Sequence, residues 1–352
     1  MTIWENPSYC CKKSSIIVKY ITEGVRLFVI SQSCNRYGGL VWKMVSVIIP
    51  TYNAERWIKK QLKSLRSQHY PISEIIIIDS GSKDNTISLV REEKNVRLIE
   101  IPSTSFDHGA TRDLAIRETN SDFVWILTQD AIPMNDDCLS IMMQCFEKEQ
   151  VAAVYARQVA PPDMPYHEKY TRDLNYPEQS ETRTKADVER LGVRAYYLSN
   201  SCAVYRKSTY LQCGGFKKNL PTNEDMLMAS SMLSAGYAVR YEAKAMVWHG
   251  HNSTPKQVYQ RYFDLGAFLK MHGSAVQGAK VNSEGGAFAI KIFSKLLREW
   301  HWIDAMQFVV LCFARLLGYR KGQKYYKLSN DSIYKSTQNK AYWQRKLNKT
   351  TI

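Results

Sequence analysis

From residue 45 onward the chain alternates short, continuously apolar runs with segments of helical period, and few folds accept that arrangement. Residues 45–50 read as a buried strand, and 54–68 as a helix with Trp57, Ile58, Leu62 and Leu65 on one face. Glu74–Asp79, which contains Ile75-Ile76-Ile77-Ile78, is a second buried strand, followed by a helix over 85–93. Residues 96–101 form a third strand, 108–119 a helix and 123–130 a fourth strand. Strands that are apolar on both faces and separated by helices require right-handed crossovers. The expected class is therefore α/β, a Rossmann-like, mostly parallel sheet flanked by helices.

Past residue 150 the pattern loosens. After a strand around Val151–Val159, Pro161-Pro162-Asp163-Met164-Pro165 opens a polar stretch to about residue 194 that bears Tyr166, Tyr170 and Tyr176. So long a connection is expected to act as a lid or binding loop. Order returns over 196–205, then as a helix over 224–235 and a strand over 238–249. Between 287 and 317 the period is near 3.6, and Ile292, Leu296, Trp300, Ile303, Val310, Phe313 and Leu317 form one apolar stripe opposite Lys291, Lys295 and Arg298. Such a stripe packs against a core or a second copy, or lies on a membrane surface. Trp300, Trp302 and the basic run Arg315, Arg320, Lys321, Lys324, Lys327 favour the membrane surface. The expected organisation is an extension over 1–43, a main domain over 44–285 and a basic, amphipathic helical tail over 286–352. Met44, directly before the first strand, is a candidate translation start that would leave 1–43 outside the native protein.

Composition narrows the function classes. With 352 residues, 45% hydrophobic and 23% charged, the chain can bury a sizeable core, which excludes a disordered, collagenous or disulfide-scaffold protein. The eight cysteines, apart from adjacent Cys10 and Cys11, show no metal or redox spacing and read as free thiols of a reducing compartment. The net charge of +15 is unevenly spread: +4 over 1–43, +1 over 44–290 and +10 over 291–352. A near-neutral middle argues against a nucleic-acid groove, and a basic tail argues for an anionic surface. No uninterrupted apolar run approaches the roughly 18–20 residues of a membrane span. Glu5, Lys19, Glu23 and Arg26 interrupt any signal-peptide pattern. The expectation is a cytosolic protein, or one attached to a membrane from the cytosolic side.

In open parallel sheets ligands bind beyond the carboxyl ends of the strands, and four motifs fall there. They are Pro50-Thr51-Tyr52-Asn53, Asp79-Ser80-Gly81-Ser82, Phe106-Asp107-His108-Gly109 with Arg112, and Thr128-Gln129-Asp130-Ala131. Singly, each is matched by a turn or a helix cap. Their order and spacing together are far more specific.

On these motifs, and on Asn223-Glu224-Asp225, the sequence resembles a family 2 glycosyltransferase of GT-A fold, in particular the bacterial rhamnosyltransferase subgroup. The resemblance runs from residue 45 to about 273, and more weakly to 343. It implies that Pro50, Thr51, Asn53, Asp79, Ser82, His108, Arg112, Thr128, Gln129 and Asp130 bind the nucleotide-sugar. Asp79 would accept a hydrogen bond from the base imide, and Arg112 would face the phosphates. Asp130 holds the last position of the family's Asp-x-Asp motif, the site of Mg²⁺ or Mn²⁺, while Thr128 replaces the first Asp. His249 is the second protein contact to the metal or diphosphate, and His251 is read as structural. Asn200 and Glu224 lie on the acceptor side. By the same resemblance Asp225 would be the catalytic base; the alternative is that Asn223 or Glu224 simply complements the helix dipole. Gln260-Arg261-Tyr262 only faintly echoes a motif of processive synthases, so one sugar per encounter is expected.

The resemblance implies an inverting glycosyltransferase that moves a deoxyhexose, L-rhamnose from dTDP-rhamnose, to a lipid-linked oligosaccharide during O-antigen or capsule synthesis. Two rivals remain open at this point. One is a family member with a UDP-hexose or UDP-N-acetylhexosamine donor. The other is a non-catalytic basic adaptor for membrane or nucleic acid, against which the neutral middle and Asp79, Asp130 and Asp225 speak.

Overall fold

The computed structural model describes residues 43–276 and 284–348, together with the short strands at 33–34 and 40–41. The chain divides into two units, Met1–Lys43 and Met44–Ile352. In the first, β1 (Ser33–Cys34) pairs antiparallel with β2 (Leu40–Val41). Cys10, Cys11 and the other positions named there lie outside the described residues.

In the second unit the alternating pattern becomes β3 (Val45–Thr51), α1 (Glu55–Arg66), β4 (Glu74–Asp79), α2 (Thr86–Arg91), β5 (Val96–Glu100), α3 (His108–Glu118) and β6 (Phe123–Leu127). β3 pairs in parallel with β4 on one side and β6 on the other, and β5 extends the sheet beyond β4. Val47, Ile48, Ile49 and Ile76–Ile78 are completely buried, which is why these strands are apolar on both faces. Because the chain travels outward to β5 and returns to β6 beside β3, strand order reverses between β3 and β6, the place where open sheets of this kind bind ligands.

The remainder makes the sheet mixed. β7 (Ile132–Pro133), α4 (Cys138–Gln144) and β8 (Val151–Val159) come next. Residues 161–194, read as a lid or binding loop, contain α5 (Tyr166–Asn175), β9 (Glu181–Arg183) and α6 (Val188–Leu191). β10 (Cys202–Arg206) lies antiparallel between β6 and β8. α7 (Lys207–Gln212) and α8 (Glu224–Ser234) lead to β11 (Ala238–Trp248), which runs parallel to β8 and is flanked by antiparallel β7 and β9. Cys138, Cys145, Cys202, Cys213 and Cys312 are free thiols.

α9 (Pro255–His272) opens with a capping box from Thr254 and Gln257. The single stripe expected over 287–317 is broken into α10 (Glu284–Arg298) and α11 (Trp302–Gly322). α10 ends in a Schellman turn: Trp300 is left-handed at φ 62°, Trp300 N–H donates to Leu297 O, and His301 N–H donates to Leu296 O. The turn changes the helix direction, so the stripe splits. Ile292 and Leu296 bury against Tyr170, Ala305 and Phe308. Trp300 (77%), Ile303 (78%), Val310, Phe313 and Leu317 stay exposed.

A second correction concerns length. α11 is long and apolar enough to cross a membrane by length and composition, although no uninterrupted run in it is. Its other face is committed to α9 at backbone contact. A Cβ on Gly318 would lie 2.2 Å from Tyr259 O, and one on Gly322 2.0 Å from Phe263 O. α12 (Asn330–Ser336) and α13 (Lys340–Asn348) complete the chain. Trp343 of α13 is wholly buried against Phe263.

Candidate active site

The loops after β3 and β4 are tied to one another rather than standing free. Asn53, left-handed at φ 52°, donates from its N–H to Ser82 Oγ at 2.7 Å and accepts from Lys83 N–H through Oδ1 at 2.9 Å. Asp79 is completely buried. Its carboxylate accepts from Gly81 N–H (2.9 Å), Ser82 N–H (2.7 Å), Ser82 Oγ (2.5 Å) and Thr51 Oγ1 (3.0 Å). Those four donors fill its acceptor positions, so Asp79 shapes the turn, and a base imide would have to displace one of them. Pro50 leads from β3 into the same corner. Gln129 bridges Tyr52 from both ends, accepting from its N–H at 2.8 Å and donating to its carbonyl at 3.1 Å.

Asp130 stands on the turn between β6 and β7. Gln61 of α1, fully buried, donates to Thr128 O (2.7 Å) and Ala131 O (2.9 Å) and so fixes that turn from beneath. β11 brings His249 up beside it: His249 Nε2 is 3.5 Å from Asp130 Oδ1, and His251 Nδ1 is 3.6 Å from Oδ2. The three ligand atoms lie within 4.8 Å of one another. Burial by itself would push the Asp130 carboxyl up, but the His249 hydrogen bond and the two imidazoles hold it well below the usual carboxylate range. Burial pushes His249 down and His251 down to about 3.

The orientation of His249 is set from behind, because its Nδ1 lies 2.7 Å from Gln158 Oε1. Gln158 in turn donates to Ser199 Oγ at 2.8 Å and accepts from Arg172. Arg172 pairs with Glu168 at 2.8 Å, and Glu168 accepts from His251 N–H at 3.3 Å. α5, from the stretch read as a lid or binding loop, is thus the outer support of the cluster. With a ring N–H directed at an amide oxygen and the other nitrogen facing a carboxylate, the residues fit a divalent cation. The sequence reading did not name Gln61, Gln158, Glu168 or Arg172 and treated His251 as structural. Gln61, a polar residue beside Ile58, Leu62 and Leu65, was the one legible signal.

The third group sits where α8 begins. Asn223 is left-handed (φ 61°) and delivers Glu224 and Asp225 in the first turn of the helix. Glu224 Oε1 is 3.2 Å from Arg112 Nη1, both side chains buried, and it accepts from Asn200 Nδ2 at 3.0 Å. Tyr205 OH fixes Asn200 by donating to its Oδ1 at 2.6 Å. Arg112, expected at the phosphates, pairs with Glu224 and donates to His108 O at 2.9 Å. Its buried Nε has no hydrogen-bond partner among the described residues. Although burial pushes Glu224 up, Arg112 and His108 hold it below its ordinary value. At half-buried Asp225, desolvation and then the Glu224 charge outweigh the Asn200 and Met226 N–H groups and the Arg112 charge, and push it up to about 7.

Asn200 and Ser201 join the two acidic centres. Asn200 N–H donates to Asp225 Oδ2 at 3.2 Å, while Ser201 O accepts from Thr128 N–H at 3.2 Å. His108, half-buried beside Phe106 with ring centroids 4.9 Å apart, closes the side next to Arg112, and burial pushes its pKa down.

The chain is similar to known glycosyltransferases. Residues 46–213 match the family model described as Glycosyl transferase family 2. The O-antigen chain rhamnosyltransferase RfbN of Salmonella typhimurium is 36% identical over 302 residues, covering 85% of this chain and 96% of the relative. WbaN of Salmonella anatum, named for the same activity, is 35% identical over 308 residues, covering 85% and 95%. Among solved structures, mannosyltransferase PcManGT from Pyrobaculum calidifontis in complex with GDP-Man and Mn²⁺ aligns with a TM-score of 0.51 at 18% identity. That alignment covers 88% of this chain and 87% of that chain, and is a likeness of fold.

Proposed function

The chain belongs to glycosyl transferase family 2 and has its GT-A fold, and on that premise we propose that it transfers L-rhamnose from dTDP-rhamnose with inversion. The acceptor is a lipid-linked oligosaccharide of O-antigen or capsule assembly. The observation that carries the reaction type is the half-buried Asp225, poised near neutrality beside a Glu224 kept ionised by Arg112. The names of the relatives that share most of this chain's length support the donor.

In this reading the acceptor hydroxyl binds on the Asn200 side. Asp225 takes its proton as the oxygen attacks the anomeric carbon, and the nucleoside diphosphate leaves. Arg112 serves this step at one remove, by keeping Glu224 anionic and so Asp225 basic. Thr51, Asn53, Ser82, Gln129 and the Asp79-ordered turn shape the nucleotide side. Asp130, His249 and His251 would hold Mg²⁺ or Mn²⁺, which would supply positive charge against the departing diphosphate. Two imidazole nitrogens favour Mn²⁺ over the harder Mg²⁺.

A nucleotide-sugar panel read by thermal shift tests the donor. dTDP-rhamnose should stabilise most, and a larger shift with a UDP-hexose or UDP-N-acetylhexosamine would replace it. The exposed face of α11 is the part of the tail that meets the cytosolic membrane surface in this reading. It runs from Trp300 and Trp302 through Ile303, Met306, Val310 and Phe313 to Arg320 and Lys321. Phe313→Asp should abolish sedimentation with anionic vesicles while leaving the fold intact. Unchanged binding would discard the membrane role.

A further inference from the structure

The C-terminal segment is built into the loop that carries the base. Residues 216–223 run from the end of β10 and α7 to the start of α8, and they are held at four points. Phe216 N–H donates to Tyr210 OH at 2.8 Å. Lys217 O presses against Gly109, where a Cβ would lie 2.4 Å away, so only glycine lets α3 approach so closely. The other two holds come from, or pass through, the segment 337–345. Asn339 Nδ2 donates to Pro221 O at 3.0 Å, in a buried contact between residues 118 positions apart. Asn219 N–H donates at 3.0 Å to Asp107 Oδ2, the same oxygen that Arg345 Nη2 reaches at 3.2 Å.

Both terminal nitrogens of Arg345 are directed at the segment leading into α3. Nη1 donates to Thr104 O at 3.1 Å and to Phe106 O at 2.9 Å, while Nη2 pairs with Asp107. Asp107 is buried and also caps α3, accepting from Ala110 N–H at 2.8 Å, and α3 carries His108 and Arg112. Asn339 is equally committed, its N–H donating to Asp264 Oδ2 at 3.2 Å and its Oδ1 accepting from Tyr342 N–H at 3.1 Å. Asn339 and Arg345 therefore grip both segments that meet at the Arg112–Glu224 pair.

We propose that α13 is a working part of the active site, with Asn339 and Arg345 as positioning residues that set where residues 216–223 deliver Glu224 and Asp225. The inference rests on the reading of Asp225 as base. The groups facing Asp225 are Glu224 on its own helix, Arg112 from α3, and the phenols of Tyr197 and Tyr205. A small displacement of the loop alters its distance from all of them. Geometry controls rate strongly here, since a misplacement of about 1 Å costs up to about 100-fold.

The test compares full-length wild type, Arg345→Ala and Arg345→Lys in rhamnosyl transfer, with kcat, donor KM and the pH profile of kcat measured for each. Trp343, whose Nε1 donates to Asp264 Oδ1 at 3.0 Å, keeps α13 docked in both variants, and Tm verifies folding. Arg345→Ala should lower kcat about tenfold with little change in donor KM, and should displace the acidic limb of the profile. Arg345→Lys, which retains the charge and one donor, should fall between it and wild type, and decides alone if Arg345→Ala does not fold. A wild-type acidic limb that stays in place in the folded variants overturns the positioning role and leaves the base assignment standing. A wild-type profile with no acidic limb near neutrality removes Asp225 as the base, and this inference with it.

Discussion

Asp130 and Asp225 are the same side chain on segments linked through Asn200 and Ser201, and their surroundings drive them in opposite directions. Both lose water. Asp130 regains more than it loses, because His249 and His251 face its two oxygens, and it stays an anion. Asp225 has the Glu224 carboxylate as a neighbour, while Arg112 pairs with that neighbour, so it holds a proton more tightly. One carboxylate is prepared for a cation and the other for a proton. Residue type alone does not distinguish these tasks; the placement of counter-charges does.

The comparison breaks most directly at the base. Asp225→Asn should leave donor affinity unchanged and lower transfer by about 10²–10⁴-fold, measured as initial rates with saturating donor. Near-normal turnover would show that the raised carboxyl is not used. The metal side is next. Gln158→Ala should raise the Mn²⁺ dissociation constant about 10–100-fold in direct calorimetric titration, because His249 loses the partner that orients it. Unchanged affinity would mean that His249 does not face the ion.

The pH dependence sharpens the contrast. Asp225 must be deprotonated to act, and its pKa is raised to about 7, so kcat should rise with pH through neutrality, falling roughly tenfold per unit below it. Asp130, held low, contributes no limb in that window. A profile flat from pH 5 to 8 would contradict the assignment. The smallest effect is expected at Tyr205→Phe, which removes the hydroxyl orienting Asn200 Oδ1. Stability should fall by about 0.5–1.5 kcal/mol in denaturant unfolding, with kcat nearly unchanged. A loss of kcat comparable to that of Asp225→Asn would move the centre of the base site to Asn200.

The motif residues were legible because each lies at a strand or helix end, where local pattern and chemistry coincide. Asp130 follows the apolar run of β6, and Glu224 and Asp225 open α8. Their supports were not. Gln158 is one polar residue at the end of a buried strand, and nothing local marks it as the partner of His249, 91 positions away. Arg345 stands in a basic helix whose charge read as surface character, yet its guanidinium reaches the α3 cap, 238 positions earlier. The pairing of Arg112 with Glu224 is likewise invisible in the local pattern of α3.

The amino-acid pattern by itself determined the α/β class, the order of β3 to β6 and the loops at which ligands gather, because strand burial and helical period are properties of neighbouring residues. Tertiary structure alone decided which charges face one another. It divided one apolar stripe between buried Ile292 and Leu296 on α10 and exposed Ile303, Val310, Phe313 and Leu317 on α11, and it set one carboxylate against two imidazoles and another against a carboxylate. Those outcomes depend on distances between segments remote along the chain, and electrostatic energies depend on distance and solvent access rather than on sequence position.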